Sequence, residues 1–399
     1  MRSGKGWTVG VAASLALSLF PSPASPWNLD LVAPGLKLTT FVVEKVEYDS
    51  NIFFDQKNPK NDGVARTVPG FLLEYSVGPV ALTLGYKIEQ LTYFKFHELD
   101  TIHQAGLLDV LYESPAGLRT ELKEDYLLTS DPQTTEQLSR RESMTNRARG
   151  EAEYRLLDRW SLGAAYENTR IFYAKEKTVD EEPLSTLSRF ENVASVTGFW
   201  HFLPKTSLLV RYSFGLTDFD DETGRNVTRN VIEAGLRGDL TPRLSTTFRL
   251  GFEDRQPRSE NIKGYRGFIA GGDWTFVLFE RTRLILALDR RAAESFSAAN
   301  AFSLASSGTL TARHEFNPKV KASVSARLGR NDYLNKEEDV SGVWKWRSEL
   351  YPGGGAGVTY DIQRWLQVGA DYSYLRLQSN FHESGYDVHR FGGTLTLQF

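Results

Sequence analysis

The chain has no cysteine among its 399 residues. That excludes disulfides, thiolate metal sites, iron–sulfur clusters and covalently attached haem, and suits a polypeptide that crosses an oxidising compartment unfolded. Beyond the N-terminus there is no apolar run of roughly 18 residues, so no transmembrane helix is expected. A barrel escapes that requirement, because only alternate residues of its strands meet lipid. Charge of one sign is missing too, with 47 basic residues against 50 acidic ones. So balanced a mixture lacks the basic stripe of a nucleic-acid binder. The six histidines (His97, His103, His201, His314, His382 and His389) show no metal-ligand spacing such as H-E-x-x-H, and no nucleophile elbow is present. No cofactor is therefore expected. An enzymatic alternative would need a lipid-facing Ser/His pair assembled across strands, around His314 or His389.

Residues 1–24 read as a secretory signal: Arg2 and Lys5 supply the positive start, Trp7 to Phe20 the apolar stretch, and Ser22-Pro23-Ala24 a small-residue cleavage site. Its removal takes two basic residues and no acid, leaving residues 25–399 at a net charge of −5. Those residues carry about 18 runs that alternate with period two, from Leu36–Tyr48 to Val388–Phe399. From Ser207, Leu208, Val210, Tyr212, Phe214 and Leu216 interleave with Leu209, Arg211, Ser213, Gly215 and Thr217. From Val320, Ala322, Val324, Ala326 and Leu328 oppose Lys321, Ser323, Ser325, Arg327 and Gly329. A charge at bilayer mid-depth costs roughly 2 to 4 kcal/mol for Arg or Lys, so the polar row must face water.

The connections sort themselves. Tight turns such as Gly78-Pro79, Leu157 to Arg159, Asn317-Pro318 and Asp361 to Arg364 alternate with longer, charged loops such as Asp49 to Ala65 and Thr129 to Ser143. A soluble sandwich has no reason for this. Short periplasmic turns and long extracellular loops do explain it, in a transmembrane, antiparallel, up-and-down all-β barrel of about 18 strands. Trp160, Trp200, Phe202, Phe279 and Trp365 lie beside tight turns, and Tyr48, Tyr93, Tyr173, Phe219 and Tyr333 near long loops, as two aromatic girdles would. The final strand places Phe391, Leu395, Leu397 and Phe399 on one face and stops there. This ending resembles the C-terminal assembly signal of bacterial outer-membrane barrels, with Leu395, Leu397 and Phe399 as its outward residues and the barrel assembly machinery as the implied partner.

The opening strands add a family resemblance. Tyr48-Asp49-Ser50-Asn51-Ile52-Phe53, then Val68-Pro69-Gly70-Phe71 and Leu82-Thr83-Leu84-Gly85-Tyr86, resemble the start of the Putative beta-barrel porin type 2 family, which includes barrels tied to exopolysaccharide export. The likeness is sharp over Tyr48 to Tyr93 and architectural afterwards. It implies residence in the outer membrane among lipid and lipopolysaccharide, a glycan as transported ligand and a periplasmic polysaccharide-export protein as partner. It supplies no catalytic residues.

The inward row gives the candidate lumen wall: Arg119, Glu121, Lys123, Asp125, Arg147, Arg149, Glu151, Glu153 and Arg155, then Arg211, Glu233, Arg237, Asp239, Arg249, Glu253 and Arg255, with Lys321, Arg327 and Asp371 farther on. Such a wall could hydrogen-bond sugar hydroxyls and uronate groups as a glycan passes, or its cross-strand acid–base pairs could mainly hold the wall together and partly fill the lumen. Acidic clusters at Asp218, Asp220, Asp221 and Glu222 and at Glu337, Glu338 and Asp339 match no calcium-loop spacing and read as solvated loop charge. Trp344, Trp346 and Tyr351 read as girdle or packing, with sugar stacking as the alternative. Polysaccharide export is the expected function. A general diffusion porin and a structural sleeve around a partner protein, such as an export protein or a multihaem carrier, share the same fold.

Overall fold

The computed structural model describes residues 27–28, 33–132, 140–174, 184–221, 224–297, 300–339, 341–381 and 385–399. The expected signal segment 1–24 lies outside the described residues, as do Glu222 and His382. A two-residue bridge, β1 (Trp27–Asn28), pairs with the foot of β2. The barrel follows: β2 (Leu36–Asp49), β3 (Asp62–Val77), β4 (Val80–Tyr93), β5 (Thr101–Glu113), β6 (Leu118–Thr129), β7 (Ser143–Leu157), β8 (Trp160–Tyr173), β9 (Arg189–Leu203) and β10 (Thr206–Phe219). Then come β11 (Val227–Thr241), β12 (Leu244–Pro257), β13 (Tyr265–Phe279), β14 (Thr282–Glu294), β15 (Phe302–Glu315), β16 (Val320–Glu338), β17 (Trp344–Gln363), β18 (Leu366–Ser379) and β19 (Tyr386–Gln398). Helix is confined, among the described residues, to one-turn segments at His97–Leu99 and Leu184–Leu187.

Each strand from β2 on pairs antiparallel with the next, and β19 returns to β2, so among the described residues 18 strands close into a ring. The last residue takes part in the closure. Phe399 N donates to Thr40 O and Thr40 N to Phe399 O, both at 2.8 Å, and the Phe399 ring stacks on Trp365 with centroids 6.4 Å apart. A chain lacking this residue would lose both bonds at the seam.

The faces divide as the alternation requires. On β10 the row from Leu208 to Leu216 is exposed, whereas Leu209 and Arg211 between them are buried. Phe391, Leu395 and Phe399 stand outward on β19, and Thr396 and Gln398 are buried inside. Water-filled or packed, the inner face is where the polar row lies. Trp160 and Trp200 stack at the tight-turn end, 6.3 Å apart, as rings at the headgroup level would.

Two strands run longer than their apolar alternation. β16 and β17 continue upward as a hairpin in which Lys336 pairs with Trp346 and Glu338 with Trp344, after a register shift beyond Asp332. Residues above the bilayer need no oily face. For the same reason β3 starts at Asp62, four residues before its alternation becomes apolar, and pairs there with Asp49.

Candidate functional site: the lumen and its extracellular mouth

The inner wall is a charge lattice in which only some partners stand directly across the ladder, as Lys123 does from Asp109 and Arg149 from Glu167. Register sets Glu121 opposite Glu151 and Lys123 opposite Arg149, like against like. The attractive contacts run along strands, diagonally, and across the neighbouring ladders. Arg119 and Lys123 both bind Glu121 (3.2 and 2.5 Å), and Lys123 also meets Asp109 at 3.6 Å. Arg149 binds Glu151 at 2.8 Å and Glu167 at 3.5 Å, while Arg147 reaches the same Glu167 at 3.8 Å. Arg249 faces Glu233 at 3.5 Å, and Glu253 binds Arg255 at 2.8 Å. Such pairs are worth about 0 to 1 kcal/mol each where water reaches them, so their main effect is to fix side-chain direction.

One pair spans the wall. Arg237 on β11 reaches across β10, β9 and β8, lays its guanidinium 4.2 Å from the Phe199 ring centroid, and bonds Glu153 on β7 at 3.0 Å. Elsewhere Asp371 binds Lys45 at 3.1 Å and Lys321 binds Asp361 at 3.2 Å. Arg327 sits 5.3 Å from the Tyr351 ring, and that ring occupies the space over Gly329, where any Cβ would collide with it. Tyr351 is therefore buried inside, apart from Trp344 and Trp346, which are exposed on the β16–β17 hairpin. The three aromatics form no common stacking platform.

Between β7 and β14 the lattice lines a half-open cavity of about 150 Å³. Six arginines (Arg149, Arg211, Arg229, Arg249, Arg290 and Arg291) and four acids (Glu167, Glu233, Glu253 and Asp289) line it. Arg211 is held by a 3.0 Å bond to Thr197 Oγ1. The lining therefore carries an excess of positive charge in a narrow space.

The mouth is built from loops that fold inward. The opening motif plays a structural part. Asp49 Oδ1 accepts from the Asn51 backbone at 2.9 Å, Asp49 Oδ2 accepts from Arg390 Nε at 2.8 Å, and Asn51 Nδ2 donates to Asp55 O and Asp387 O. Asp62, fully buried, accepts backbone bonds from Gly63, Lys95 and Phe96. Asp49, Asn51 and Asp62 thus knot the first loop onto its neighbours. Above them Arg140 pairs with Asp131, donates to Ile52 O, and lies 5.5 and 5.7 Å from the Phe54 and Tyr93 rings. Burial alone would raise the Asp131 carboxyl, yet the Arg66 and Arg140 charges hold it below the usual carboxylate range.

On the opposite side, residues beyond the end of β14 reach across the mouth. Phe296 meets Tyr173 at the top of β8, 5.9 Å away. Arg225 donates to the carbonyls of Ser295, Ser297 and Asn300, and Asn300 in turn receives the Asn335 backbone N–H at 2.6 Å. Sequence reasoning missed this group. The signal was present on β14, where the outward row Leu284, Leu286, Leu288 becomes Arg290, Ala292, Glu294.

Three acids of the two clusters, Asp220, Glu337 and Asp339, are engaged by neighbouring side chains. Arg170 clamps Asp220 with two 2.6 Å bonds, which hold that carboxyl below its ordinary value. Glu337 accepts from Ser297, and Asp339 binds Lys345 at 2.6 Å. Among the described residues no three His, Asp or Glu side chains could hold a metal. His314 bonds Thr282 and His389 bonds Tyr372, both at 2.9 Å, so neither is set against a serine.

Known proteins place this geometry. The profile of the family described as Putative beta-barrel porin 2 matches residues 37–399. Comparison with curated proteins gives no match. Among solved structures, OccK1 (OpdK) of Pseudomonas aeruginosa aligns with 12% identity over 91% of this chain and 99% of its own, at a TM-score of 0.50. OccAB4 of Acinetobacter baumannii aligns with 13% identity over 91% and 98%, at 0.49. At such identities the likeness is one of fold. With the match running from the first barrel strand to the last residue, the chain belongs to the Putative beta-barrel porin 2 family, as a barrel of the bacterial outer membrane.

Proposed function

We propose that this barrel is a diffusion channel for small hydrophilic solutes, with a preference for small anions. The observation that carries the reading is the lining of the cavity between β7 and β14, where six arginines outnumber four acids in about 150 Å³. That volume is well above the roughly 10–15 Å³ that a single water needs, which leaves room for a small carboxylate or a hydrated chloride. Low-dielectric walls strengthen the field of such a cluster and raise the local concentration of counter-ions.

Passage of a polysaccharide, the function implied by the opening motif, is less well served. The residues of that motif are spent on knotting the first loop, and Arg225 draws Ser295, Ser297 and Asn300 over the mouth with three bonds. A polymer needs a continuous bore; a small ion needs only a charged constriction. The test is conductance in planar bilayers under a potassium chloride gradient. The expected result is steady single-channel current with a reversal potential on the chloride side. Replacing Arg211 and Arg249 together by glutamine leaves four arginines against four acids, and the chloride preference should vanish. A barrel that inserts but carries no current, or one equally selective after that double change, would sink the proposal.

A further inference from the structure

β16 and β17 are the longest strands of the barrel, 19 and 20 residues, and their outward row does not stay polar above the bilayer. On β17 that row runs from Tyr360 and Val358 through Leu350 to Trp346 and Trp344, which are 52% and 62% exposed. Below the tryptophans lies a charged step, the outward Arg330–Asp332 pair at 2.7 Å, whose residues stand opposite Leu350 and Ser348. The neighbouring hairpin carries an outward pair of its own, Arg376–Asp387, with Arg376 two residues below Gln378, which faces Leu350. Trp346, four residues above Leu350, therefore stands roughly 15 Å above that second pair, at about 3.4 Å per residue and a tilt of about 40°. The aromatic girdle of this sector lies lower, at Tyr372 and Phe391, whose ring centroids are 4.8 Å apart. Trp344 and Trp346 are too high to belong to it.

The hairpin is braced from its inner face and its edge. Arg347 binds Glu349 at 2.6 Å and Glu337 at 3.7 Å, Lys345 binds Asp339 at 2.6 Å, and Asn380 Nδ2 donates to Trp346 O at 2.7 Å. Two ammonium groups gather around the outward Trp346 ring. Lys336 Nζ, directly across the ladder, is 5.7 Å from its centroid, and Lys263 Nζ, from the connection between β12 and β13, is 5.8 Å away. Lys263 also donates to Leu334 O at 3.1 Å, which fixes its position. Neither lysine is ion-paired among the described residues. At the next outward position Trp344 stands opposite the exposed Glu338, and its ring meets no other ring among the described residues.

The two positions suit different parts of one ligand. Paired ammonium groups with donors to spare suit a phosphate. An indole face beside a carboxylate suits a sugar ring, which lays its apolar face on the aromatic while its hydroxyls donate to the acid. Two residues of strand separate them by about 7 Å, so a single phosphorylated sugar reaches both. We propose that the outward face of the β16–β17 hairpin binds the phosphorylated core saccharide of lipopolysaccharide. Its place selects that occupant: outside an outer-membrane barrel, and this far above the ion-paired rim, the surrounding material is the sugar core of the outer leaflet and not its acyl chains. The contact lies outside the lumen and does not depend on what passes through it.

The test uses the folded barrel in detergent and three fluorescently labelled probes: rough lipopolysaccharide with a phosphorylated core, the same material dephosphorylated, and lipid A, which has no core. Binding is read by anisotropy. The parent should bind the phosphorylated core about tenfold more tightly than either other probe, the effect of one hydrogen bond to a charged group. Lys263→Gln combined with Lys336→Gln should remove that advantage and leave affinity for the dephosphorylated core unchanged, whereas Trp344→Ala should weaken both probes that carry a core. Heat-modifiable gel mobility shows that each variant is folded, and Lys336→Gln alone carries the comparison if the double variant is not. Equal affinity of parent and variants for the phosphorylated core, or lipid A binding as tightly as that probe, overturns the site. So does a Trp344→Ala barrel that loses self-association while keeping its affinity, because a second copy of the chain would then be the occupant.

Discussion

Ile232 tests the membrane-facing assignment most directly. It lies on β11 opposite Tyr212, at the middle of the outward row that runs from Leu208 to Leu216 on β10, and it is 56% exposed. Eight residue steps of about 3.4 Å, on a strand tilted by about 40°, lift that row through roughly 20 Å, close to the height of a barrel's apolar band. Ile232 therefore stands near mid-depth. Leu240, outward on the same strand but beside the tight turn, stands at the interface. An arginine costs roughly 2 to 4 kcal/mol at the midplane and about 0 to 1 near the interface. Ile232→Arg should therefore be about 2 to 3 kcal/mol worse than Leu240→Arg, roughly a 30- to 150-fold difference in the folding equilibrium. The assay is reversible folding into lipid vesicles across a denaturant titration, read by tryptophan fluorescence and by the gel-mobility difference between folded and unfolded barrels. Equal midpoint shifts for the two variants would mean that this row does not face lipid, and the face assignment of every strand would fall with it.

Two further outcomes follow from the mouth. The Asp131 carboxyl is held below its ordinary value by Arg66 and Arg140, so its contribution is complete above about pH 4, the ordinary aspartate range, and is lost as pH falls through the lower folded value. Open-channel current noise should accordingly rise as pH drops from 5 to 3, and Asp131→Asn should show that noise already at pH 7; a quiet Asp131→Asn channel would refute the anchoring role. Asn51→Ala removes the side-chain bonds to Asp55 and Asp387 and should cost about 1 to 3 kcal/mol, the penalty for unsatisfied buried partners. A thermal unfolding midpoint unchanged from the parent would count against the loop knot.

Side-chain direction was legible in the sequence; side-chain partnership was not. Alternation alone sends Arg211, Arg249 and Glu233 inward, because outward positions would meet lipid. Which acid each arginine meets depends on stagger between strands, and that quantity leaves no mark on a single strand. Glu153 and Arg237 are 84 residues apart and four strands removed, yet they bond, while Glu121 and Glu151 stand opposite each other and turn to arginines elsewhere. Strand ends are illegible where the alternation rule lapses. Asn335 to Glu338 are polar throughout and look like loop, but above the bilayer a paired strand needs no apolar face, and β16 continues through them. The opening Asp-Ser-Asn-Ile motif marked kinship without revealing its role, since hydrogen bonds from Asn51 to Asp387 join opposite ends of the chain.

Above Ala270↔Arg290 the β13–β14 ladder ends, and the tips of β14 and β15 turn inward, so that Ala292 packs with Val231 and Ile269 and Phe302 with Val227. Had β14 stayed in register with β13 to its end, Arg291 to Glu294 would have added a few ladder bonds, each worth about 0.5 to 1.5 kcal/mol net. Phe302 and Ala292 would then stand outward at the headgroup level. Turning inward forfeits those bonds, but burying a phenylalanine contributes about 1.5 to 3 kcal/mol, and Glu294 gains a charge-assisted bond to Arg255. The two sums are comparable. What breaks the tie is Arg225, whose three bonds to the carbonyls of Ser295, Ser297 and Asn300 exist only with the tip inside. A single arginine on the rim of β11 thus decides whether the wall is a plain cylinder or one that overlaps itself beside the cavity.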